Sequence, residues 1–374
     1  MKLLYIDFNM PYLLKDTDHP VGGATIEWYA WIKGLEENNC EVGVLTWKGA
    51  INFVKKPHTI NFIESYDREK GIPKLRWLYY RFPSLLKAVK KYNPNVIVQE
   101  CASIDTGIIA FVAKILNVPF IYRVANDMDT DERLKMRLNF RQRILFKYGL
   151  KKSNAILCQN SYQYKKLRIK FNKEKLHIIH NPFYLEIKVE ISNFSKRSYV
   201  AWIGIFQYQK NLPALYEVVK KLPHIEFHIA GKSSGSNLDE NTKTALQRLS
   251  HCKNVIFIGY LKRTEVLPFL SKAYALLNTS HYEGFSNTYL EALSVGTPIV
   301  TTKYASPDNI IENNNIGFEV DDYSVLSLAL KKIIDNKDYC SLSNRCRNYV
   351  VNNHDSVILS KRFINIIESN LYIH

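Results

Sequence analysis

Two glutamates, Glu283 and Glu291, lie eight residues apart in the segment HYEGFSNTYLEALSVGTP (281–298). Glu283 is in a glycine-containing turn, and Glu291 is inside the predicted helix that follows it. Thr288 and Glu291 have the spacing of a capping box, which would explain Glu291 as a purely structural residue. That explanation does not extend to Glu283. The alternative is a ligand site, in which the amides at the start of the helix (285–288) receive phosphate groups.

Two glycine-containing loops provide further candidate ligand contacts. Gly22-Gly23 lies between the first predicted strand and the first predicted helix, where glycine lets a backbone approach a ligand closely. Gly204 ends a predicted strand, and Lys210 follows it just before a helix, where a lysine can neutralise a diphosphate. Neither the dinucleotide fingerprint G-x-G-x-x-G nor the P-loop motif is present in the sequence.

A D-x-D string, Asp127 and Asp129, follows another predicted strand. Carboxylate oxygens suit Mg²⁺ or Mn²⁺, so the two acids could hold a metal ion and, through it, a phosphorylated ligand. The alternative, which we favour, is that these acids lie at the amino end of a helix over 132–148. We therefore predict no metal site and no cofactor.

These residues must be positioned by short apolar runs that alternate with longer amphipathic ones, a pattern typical of βαβ units. The alternation is interrupted at 186–198, a polar stretch that we interpret as a linker. We predict an α/β protein with two doubly wound parallel-sheet (Rossmann-like) domains that face one another across a cleft. The predicted domains are 1–185 and 186–354, and a C-terminal helix over about 355–374 is expected to pack on the first.

The net charge of +16 is concentrated in two segments, 67–92 and 131–152, each with eight Lys or Arg and two acids. Both interleave cations with aromatic residues and leucine, which favours an anionic membrane surface as partner. Nucleic acid, or a solvated basic face over a buried apolar stripe, would give the same pattern.

The sequence shows neither a signal peptide nor an apolar run long enough to span a membrane. Six scattered cysteines indicate a reducing cytoplasm.

Glu283-Gly-Phe-Ser-Asn-Thr-Tyr-Leu-Glu291, followed by Ala-Leu-Ser-Val-Gly-Thr-Pro, resembles the E-x7-E motif of family 4 of the retaining glycosyltransferases, which have the two-domain GT-B architecture. The resemblance extends along nearly the whole chain. The further matching segments, in the order of the family, are GGA at 22–24, HNP at 180–182, Gly204 to Lys210-Asn211, IAG at 229–231 and Gly317-Phe318.

The resemblance implies a role for each matching residue. Glu283 would contact the donor sugar near the reacting carbon, Glu291 would bind the ribose hydroxyls, and Lys210 would stabilise the leaving diphosphate without a metal ion. Glu283 and Lys210 would thus be catalytic. The complete set of implied donor-binding residues is Gly22, Gly23, Gly204, Lys210, Glu283, Gly284, Phe285, Ser286, Asn287, Thr288 and Glu291.

This sequence departs from the family at two places. Ile205 stands where an arginine is common, so that Lys210 is the evident cation of its loop. The strand ending in Arg123-Val-Ala-Asn126-Asp127 lacks the histidine that is common there, and Arg123, Asn126 or Asp127 would make sugar or acceptor contacts instead.

The sequence thus predicts a cytoplasmic, retaining, metal-independent glycosyltransferase of the hexosyltransferase type. It would move a sugar from a nucleoside-diphosphate sugar to a glycan or lipid-linked glycan in surface polysaccharide biosynthesis. It would be peripheral on the inner face of the plasma membrane and would not bind nucleic acid. The alternatives are a nucleotide-sugar epimerase on the same fold, a basic nucleic-acid-binding protein and a catalytically inactive binding protein.

Overall fold

A computed structural model of the chain describes residues 1–15, 22–55, 58–73, 75–184, 196–233 and 238–371. The chain forms two compact units. The N-terminal unit comprises residues 1–184 together with 356–374, and the C-terminal unit comprises residues 185–355. The predicted linker at 186–198 falls for the most part outside the described residues.

The N-terminal unit contains a seven-stranded parallel sheet with the order β3-β2-β1-β4-β5-β6-β7. Its five central strands are short apolar runs that are largely buried on both faces, as expected when helices cover a parallel sheet on either side, whereas the edge strands β3 and β7 are partly exposed. The strands are β1 (Lys2–Ile6), β2 (Glu41–Thr46), β3 (Asn61–Glu64), β4 (Val96–Glu100), β5 (Phe120–Arg123), β6 (Ala155–Cys158) and β7 (Leu176–Ile178).

Helices cover both faces of this sheet, and each face has its own apolar core. The helices are α1 (Met10–Leu13), α2 (Gly23–Glu37), α3 (Phe82–Tyr92), α4 (Ile104–Leu116), α5 (Leu134–Arg137), α6 (Phe140–Lys152), α7 (Ser161–Arg168) and α15 (Ser356–Leu371). A π-helical turn, Trp77–Arg81, precedes α3. The C-terminal helix α15 packs on α2, where a Cβ added at Gly34 would lie 2.1 Å from the carbonyl oxygen of Ser356. Glycine at this position therefore permits the close approach of the two helices.

The C-terminal unit contains a six-stranded parallel sheet with the order β10-β9-β8-β11-β12-β13. The strands are β8 (Tyr199–Ile203), β9 (Phe227–Ala230), β10 (Val255–Gly259), β11 (Ala273–Leu277), β12 (Ile299–Thr302) and β13 (Gly317–Val320). The helices are α8 (Leu212–Lys221), α9 (Glu240–Ser250), α10 (Arg263–Ser271), α11 (Asn287–Ser294), α12 (Ile310–Asn313), α13 (Leu326–Ile334) and α14 (Tyr339–His354). The predicted class of two doubly wound parallel sheets is confirmed.

The prediction of one helix over 132–148 is wrong, because the chain forms two helices there. The helix α5 ends at Arg137, and α6 starts anew after Asn139. The Asn139 side chain accepts a hydrogen bond from the Gln142 amide at 3.1 Å, and the Gln142 side chain accepts one from the Asn139 amide at 3.0 Å. This reciprocal capping box starts a new helix, α6, at Phe140. The pattern of basic and apolar residues in the sequence did not indicate that start.

No helix in the described part of the chain is both long enough and apolar enough to cross a membrane.

Candidate active site

The strand order of the C-terminal unit brings two of the predicted loops together. The strands β8 and β11 are neighbours at the centre of the sheet, with Leu276 opposite Ala201. The chain leaves β8 towards β9 on one side, and β11 leads to β12 on the other. This reversal of strand order is the place where open parallel sheets bind ligands, beyond the carboxyl ends of their strands. Gly204 and Lys210 follow β8 there, and Glu283 follows β11.

Hydrogen bonds join the loop after β8 to the loop after β11. The Thr279 hydroxyl donates to the Lys210 carbonyl oxygen at 2.8 Å, and the His281 amide donates to the Gln209 carbonyl oxygen at 2.8 Å. The Gln209 side-chain amide in turn donates to the Tyr282 carbonyl oxygen at 2.9 Å. Because these bonds use backbone groups on both sides, they fix the two loops relative to each other.

The two predicted catalytic side chains form an ion pair within this pair of loops. Lys210 Nζ lies 2.5 Å from Glu283 Oε1, and the two side chains are only 17% and 9% exposed. The same carboxylate oxygen also accepts a hydrogen bond from the Ser280 hydroxyl at 2.7 Å. The site therefore holds a positive and a negative group in contact, largely shielded from water, where both act more strongly than they would on an open surface.

Gly204 makes room for the Lys210 side chain. A Cβ added at this glycine would lie 3.3 Å from Lys210 Cδ and 3.0 Å from the Trp202 ring. The aliphatic part of Lys210 thus packs against the bare backbone of Gly204. Any larger residue would force the lysine to shift, so the glycine predicted as a ligand contact also positions the cation.

The residues between the two glutamates form the start of α11. Gly284, Phe285 and Ser286 are buried, and the helix begins at Asn287 with Thr288 in its first turn. The Tyr289 hydroxyl anchors the helix to the neighbouring strand, donating to Thr301 Oγ1 at 3.0 Å. The amino end of α11, which carries a partial positive charge, is therefore held directly after Glu283.

The predicted capping box of Thr288 and Glu291 is wrong. The N-cap of α11 is Ser286, which makes no side-chain capping bond. The Glu291 carboxylate instead accepts a hydrogen bond from Arg263 Nη1 at 2.6 Å. Burial raises the pKa of Glu291, and the guanidinium opposes that shift. The carboxylate therefore faces the residues that follow β10, rather than the amides of its own helix.

Arg263 and Ser280 are site residues that the sequence interpretation missed. Arg263 is the first residue of α10, a few positions after β10 ends, and Ser280 follows β11. Both obey the rule that singled out Lys210 and Glu283, since polar residues just beyond a strand of a parallel sheet lie at its ligand-binding edge. Ile205, at the position where the family commonly has an arginine, is 42% exposed and carries no charge. The second cation at this edge of the sheet is Arg263, at the start of α10.

The predicted site residues of the N-terminal unit fall into three groups: the exposed Gly22 and Gly23, the buried Arg123, and Asn126 and Asp127, which have protein partners. Gly22 is the N-cap of α2 and Gly23 its first residue, and both are exposed. A Cβ added at Gly22 would meet no atom within 4 Å, so the backbone there is open to an approaching group.

The predicted sugar or acceptor contact by Arg123 is wrong, because its side chain is completely buried. Its guanidinium pairs with Glu27 and donates to Asn181 Oδ1 at 2.9 Å and to the Ile179 carbonyl oxygen at 3.1 Å. These partners satisfy the charge inside the unit. The HNP segment (180–182), quoted above for its family resemblance, supplies Asn181 to this buried network.

The side chains of the D-x-D segment all have protein partners. The Asn126 side chain accepts from the Met128 amide at 3.0 Å and caps a short 3-10 turn. Asp127 accepts from Asn160 at 3.1 Å and from Gln163 at 2.9 Å, and burial raises its pKa to about 6. Asp129 pairs with Arg137 at 3.2 Å. These partners of the acids are side chains of Asn160, Gln163 and Arg137 rather than the amides at the start of a helix over 132–148, so the favoured interpretation of the acids as the amino end of that helix is wrong.

Two family models match consecutive parts of the chain. The model described as Glycosyltransferase Family 4 matches residues 21–186, and the model described as Glycosyl transferases group 1 matches residues 185–352. The two models meet at the division between the two units. The residues of the Lys210–Glu283 pair lie within the second match.

Among curated proteins, glycogen synthase of Mycobacterium tuberculosis is 28% identical over 142 residues, which are 36% of this chain and 33% of that protein. The chain thus matches about a third of that relative's length. The Escherichia coli UDP-Gal:alpha-D-GlcNAc-diphosphoundecaprenol alpha-1,3-galactosyltransferase is 24% identical over 298 residues, 73% of this chain and 75% of that protein.

Among solved structures, Anabaena HepE in complex with UDP-glucose is similar over 99% of this chain and 100% of that chain, with a TM-score of 0.77 at 15% identity. This similarity shows the fold. The two consecutive family matches place the chain in the GT-B glycosyltransferase superfamily.

Proposed function

We propose that this protein is a retaining, metal-independent glycosyltransferase that moves a sugar from a nucleoside diphosphate to a hydroxyl group of a glycan or lipid-linked glycan. The observation that carries the proposal is the shielded Lys210–Glu283 pair at the carboxyl edge of β8 and β11. The E-x7-E resemblance supports retention of the anomeric configuration. We further propose that the reaction belongs to surface polysaccharide biosynthesis on the cytoplasmic face of the membrane.

The leaving nucleoside diphosphate needs positive charge as the bond to the sugar breaks. Lys210 Nζ and the amino end of α11 can supply it from two sides of the same loop pair. Because both groups are already fixed in place, little reorganisation is needed when charge develops on the phosphate. The lysine and the helix terminus would therefore stabilise the leaving diphosphate in place of a metal ion.

The two glutamates would have separate tasks. Glu283 would lie at the reacting end of the donor, beside the lysine that holds the diphosphate. Glu291 would accept hydrogen bonds from the ribose hydroxyls, and this requires its bond to Arg263 to open or to be shared. Arg263, whose side chain is 31% exposed, would then be available to the nucleotide.

The membrane part of the proposal is supported by the outer surface of three helices in the N-terminal unit. The helix α4 contacts α3 through stacked rings of Phe82 and Phe111, 5.6 Å apart. It approaches α6 so closely that a Cβ at Gly107 would lie 2.4 Å from the Leu145 carbonyl oxygen. The two basic segments of the sequence therefore lie on either side of α4. We call the outer face of α3, α4 and α6 the basic-apolar face.

The basic-apolar face combines exposed apolar and cationic side chains. The exposed apolar residues are Ile104, Phe111 and Ile115 on α4, with Phe140 and Ile144 on α6. The exposed cations are Lys87, Lys90 and Lys91 on α3, with Arg141, Lys147 and Lys151 on α6. An apolar stripe between cations fits the interface of an anionic lipid layer. The E. coli galactosyltransferase is named for a diphosphoundecaprenol-linked acceptor, which agrees with the lipid-linked acceptor proposed for this chain.

Donor binding and transfer test the enzymatic proposal. We expect one of UDP-, GDP- or ADP-sugars to raise the melting temperature of the protein, and the matching donor to support transfer that retains the anomeric configuration by NMR. Glu283→Gln and Glu291→Gln should each reduce transfer. Donor turnover without an acceptor would instead indicate an epimerase, and salt-dependent retention on nucleic acid with no response to any nucleotide sugar would contradict the proposal.

Flotation with vesicles tests the membrane proposal, and the chain offers a matched control. Lys90 and Lys91 lie in the last turn of α3, and Lys331 and Lys332 occupy the last turn of α13 in the other unit. We expect the wild-type protein to bind anionic but not neutral vesicles, less strongly at high salt. The double alanine variant of α3 should bind roughly 30-fold more weakly, at about 1 kcal/mol per lysine. Equal losses in both double variants would contradict the assignment of the face.

A further inference from the structure

A groove lined by residues outside the Lys210–Glu283 pair lies in the C-terminal unit. It is enclosed by α8, α9 and the residues that follow β11 and β13, and its volume is about 840 Å³. Its size is within the range of cavities that hold small organic ligands. Its lining includes Tyr208, Glu217, Asp239, Asn241, His281 and Tyr323. We call it the α8–α9 groove.

Aromatic rings form one wall of the α8–α9 groove and continue beyond it. The Tyr208 and His281 rings are 4.8 Å apart between centroids, and the His281 and Tyr323 rings are 6.1 Å apart. Tyr304, outside the groove, stacks on Tyr323 at 6.2 Å. Tyr208 and Tyr304 are 56% and 61% exposed, so the two ends of this row of rings are open to solvent. Four successive rings therefore offer a surface longer than one small ring system.

The polar lining of the groove is electrically balanced. Glu217 and Asp239 are opposed by Lys221 and Arg248, so the formal charges cancel. Asp239 caps α9, accepting from the Thr242 amide at 3.0 Å, and so places a negative charge at the helix end that would otherwise attract an anion. Partial burial lowers the pKa of His281, which disfavours a positive charge on its ring. An anionic ligand such as a nucleotide is disfavoured here.

The remaining polar groups suit a ligand rich in hydroxyl groups. The Glu217 carboxylate is exposed on α8, and the Asn241 and Thr244 side chains are exposed on the facing helix α9. Carboxylate and amide oxygens accept hydrogen bonds, and hydroxyl and amide groups can also donate them. The groove therefore offers flat apolar rings on one wall and several acceptors and donors on the others.

We propose that the α8–α9 groove binds a neutral oligosaccharide several sugar residues long. A sugar ring has an apolar C–H face and a rim of hydroxyl groups. The C–H face can pack on the aromatic rings of one wall, and the hydroxyl groups can form hydrogen bonds with the polar groups of the other walls. The groove borders the donor loops, since Tyr208 is two residues before Lys210 and His281 is two residues before Glu283. Its lining is nevertheless distinct from those side chains. Saccharide binding at the groove does not require transfer activity.

Binding is tested with the whole chain and four neutral hexasaccharides, built from glucose in α- and β-linkage, from mannose and from N-acetylglucosamine. Saturation-transfer NMR and calorimetry are performed with and without saturating nucleoside diphosphate. We expect at least one hexasaccharide to bind, with an affinity that the nucleotide does not reduce. Competition by the nucleotide would place the sugar in the donor site and overturn the proposal, as would the absence of binding by all four at about 10 mM, where a useful site would be occupied.

Three variants locate the binding site. Tyr208→Ala removes an exposed ring and should weaken hexasaccharide binding roughly tenfold, whereas Tyr208→Phe keeps the ring and should bind within about threefold of wild type. Tyr162→Ala removes a partly exposed tyrosine from the N-terminal unit and should have no effect. Unchanged binding by Tyr208→Ala, or an equal loss in Tyr162→Ala, would overturn the assignment to the groove. Circular dichroism of each variant separates loss of binding from loss of folding.

Discussion

Glu283→Gln is expected to tighten binding of the nucleoside diphosphate while slowing sugar transfer. In the structure Lys210 Nζ is 2.5 Å from Glu283 Oε1, so the cation proposed to hold the diphosphate is already paired. An incoming diphosphate must compete with that carboxylate for the lysine. An amide of the same shape removes the negative charge but can still accept a hydrogen bond from Lys210, so the cation becomes more available without losing its position.

The size of the effect follows from the two kinds of hydrogen bond. A bond between charged groups contributes about 1.5–3 kcal/mol, and one to a neutral acceptor contributes about 1 kcal/mol. The substitution should therefore release about 0.5–2 kcal/mol of competition, which corresponds to roughly 2- to 30-fold tighter binding. Because Lys210 and Glu283 are only 17% and 9% exposed, solvent screening should not abolish this difference.

The assay combines calorimetry with UDP, or with whichever diphosphate stabilises the protein best, and steady-state transfer rates. Transfer by Glu283→Gln should fall by about 100-fold or more, the usual loss when one charged group of a polar site is removed. Lys210→Met should weaken nucleotide binding, and Glu291→Gln should weaken it as well by removing the acceptor for the ribose. Unchanged or weaker nucleotide binding by Glu283→Gln would refute the view that the pair competes with the diphosphate.

Three further substitutions test the surroundings of the site and the N-terminal unit. Gly204→Ala places a methyl group 3.3 Å from Lys210 Cδ and should lower the transfer rate while reducing the free energy of unfolding by about 1–3 kcal/mol; an unchanged rate would show that the lysine does not need this space. Arg123→Met leaves the Glu27 carboxylate buried without its cation and should cost about 3–5 kcal/mol in urea unfolding, with partial recovery when Glu27→Gln is added. Asp127 has a pKa raised to about 6 from an ordinary 3.8, so the stability it contributes is complete below pH 4 and is lost as the pH rises through 6. Wild type should therefore lose about 3 kcal/mol relative to Asp127→Asn between pH 4 and pH 7, and parallel pH profiles of the two proteins would contradict this.

Local sequence patterns were sufficient to predict the fold class and the part of each βα unit that carries the site. The alternation of short apolar runs and amphipathic segments predicts parallel strands covered by helices. Gly204, Lys210 and Glu283 could be singled out because each follows a predicted strand. The position of a residue just after a strand is a local property, and it places the residue at the carboxyl edge of whichever sheet forms.

Partners distant in sequence could not be predicted from those patterns. Lys210 and Glu283 are 73 residues apart, and they meet only because β8 and β11 pair at the centre of the sheet. The Thr288 spacing favoured a capping box for Glu291, but packing of α10 beside α11 offered the carboxylate a charged partner, Arg263, 28 residues away. The guanidinium adds the attraction of an opposite charge to the hydrogen bond, which a backbone amide does not, so the tertiary contact prevailed over the local one.

Burial is the other property that only the tertiary structure decided. Arg123 is the last residue of β5 and is completely enclosed with Glu27 and Asn181, whereas Lys210 lies in the loop after β8 and keeps 17% of its side chain exposed. Both cations lie at the carboxyl end of a strand, and the sequence interpretation treated both as candidate ligand contacts. The sequence by itself determined which residues follow strands and so which edge of each sheet carries polar groups. Which of those groups pair, and which face a ligand, depends on strand order and helix packing, because these bring together residues that the chain keeps far apart.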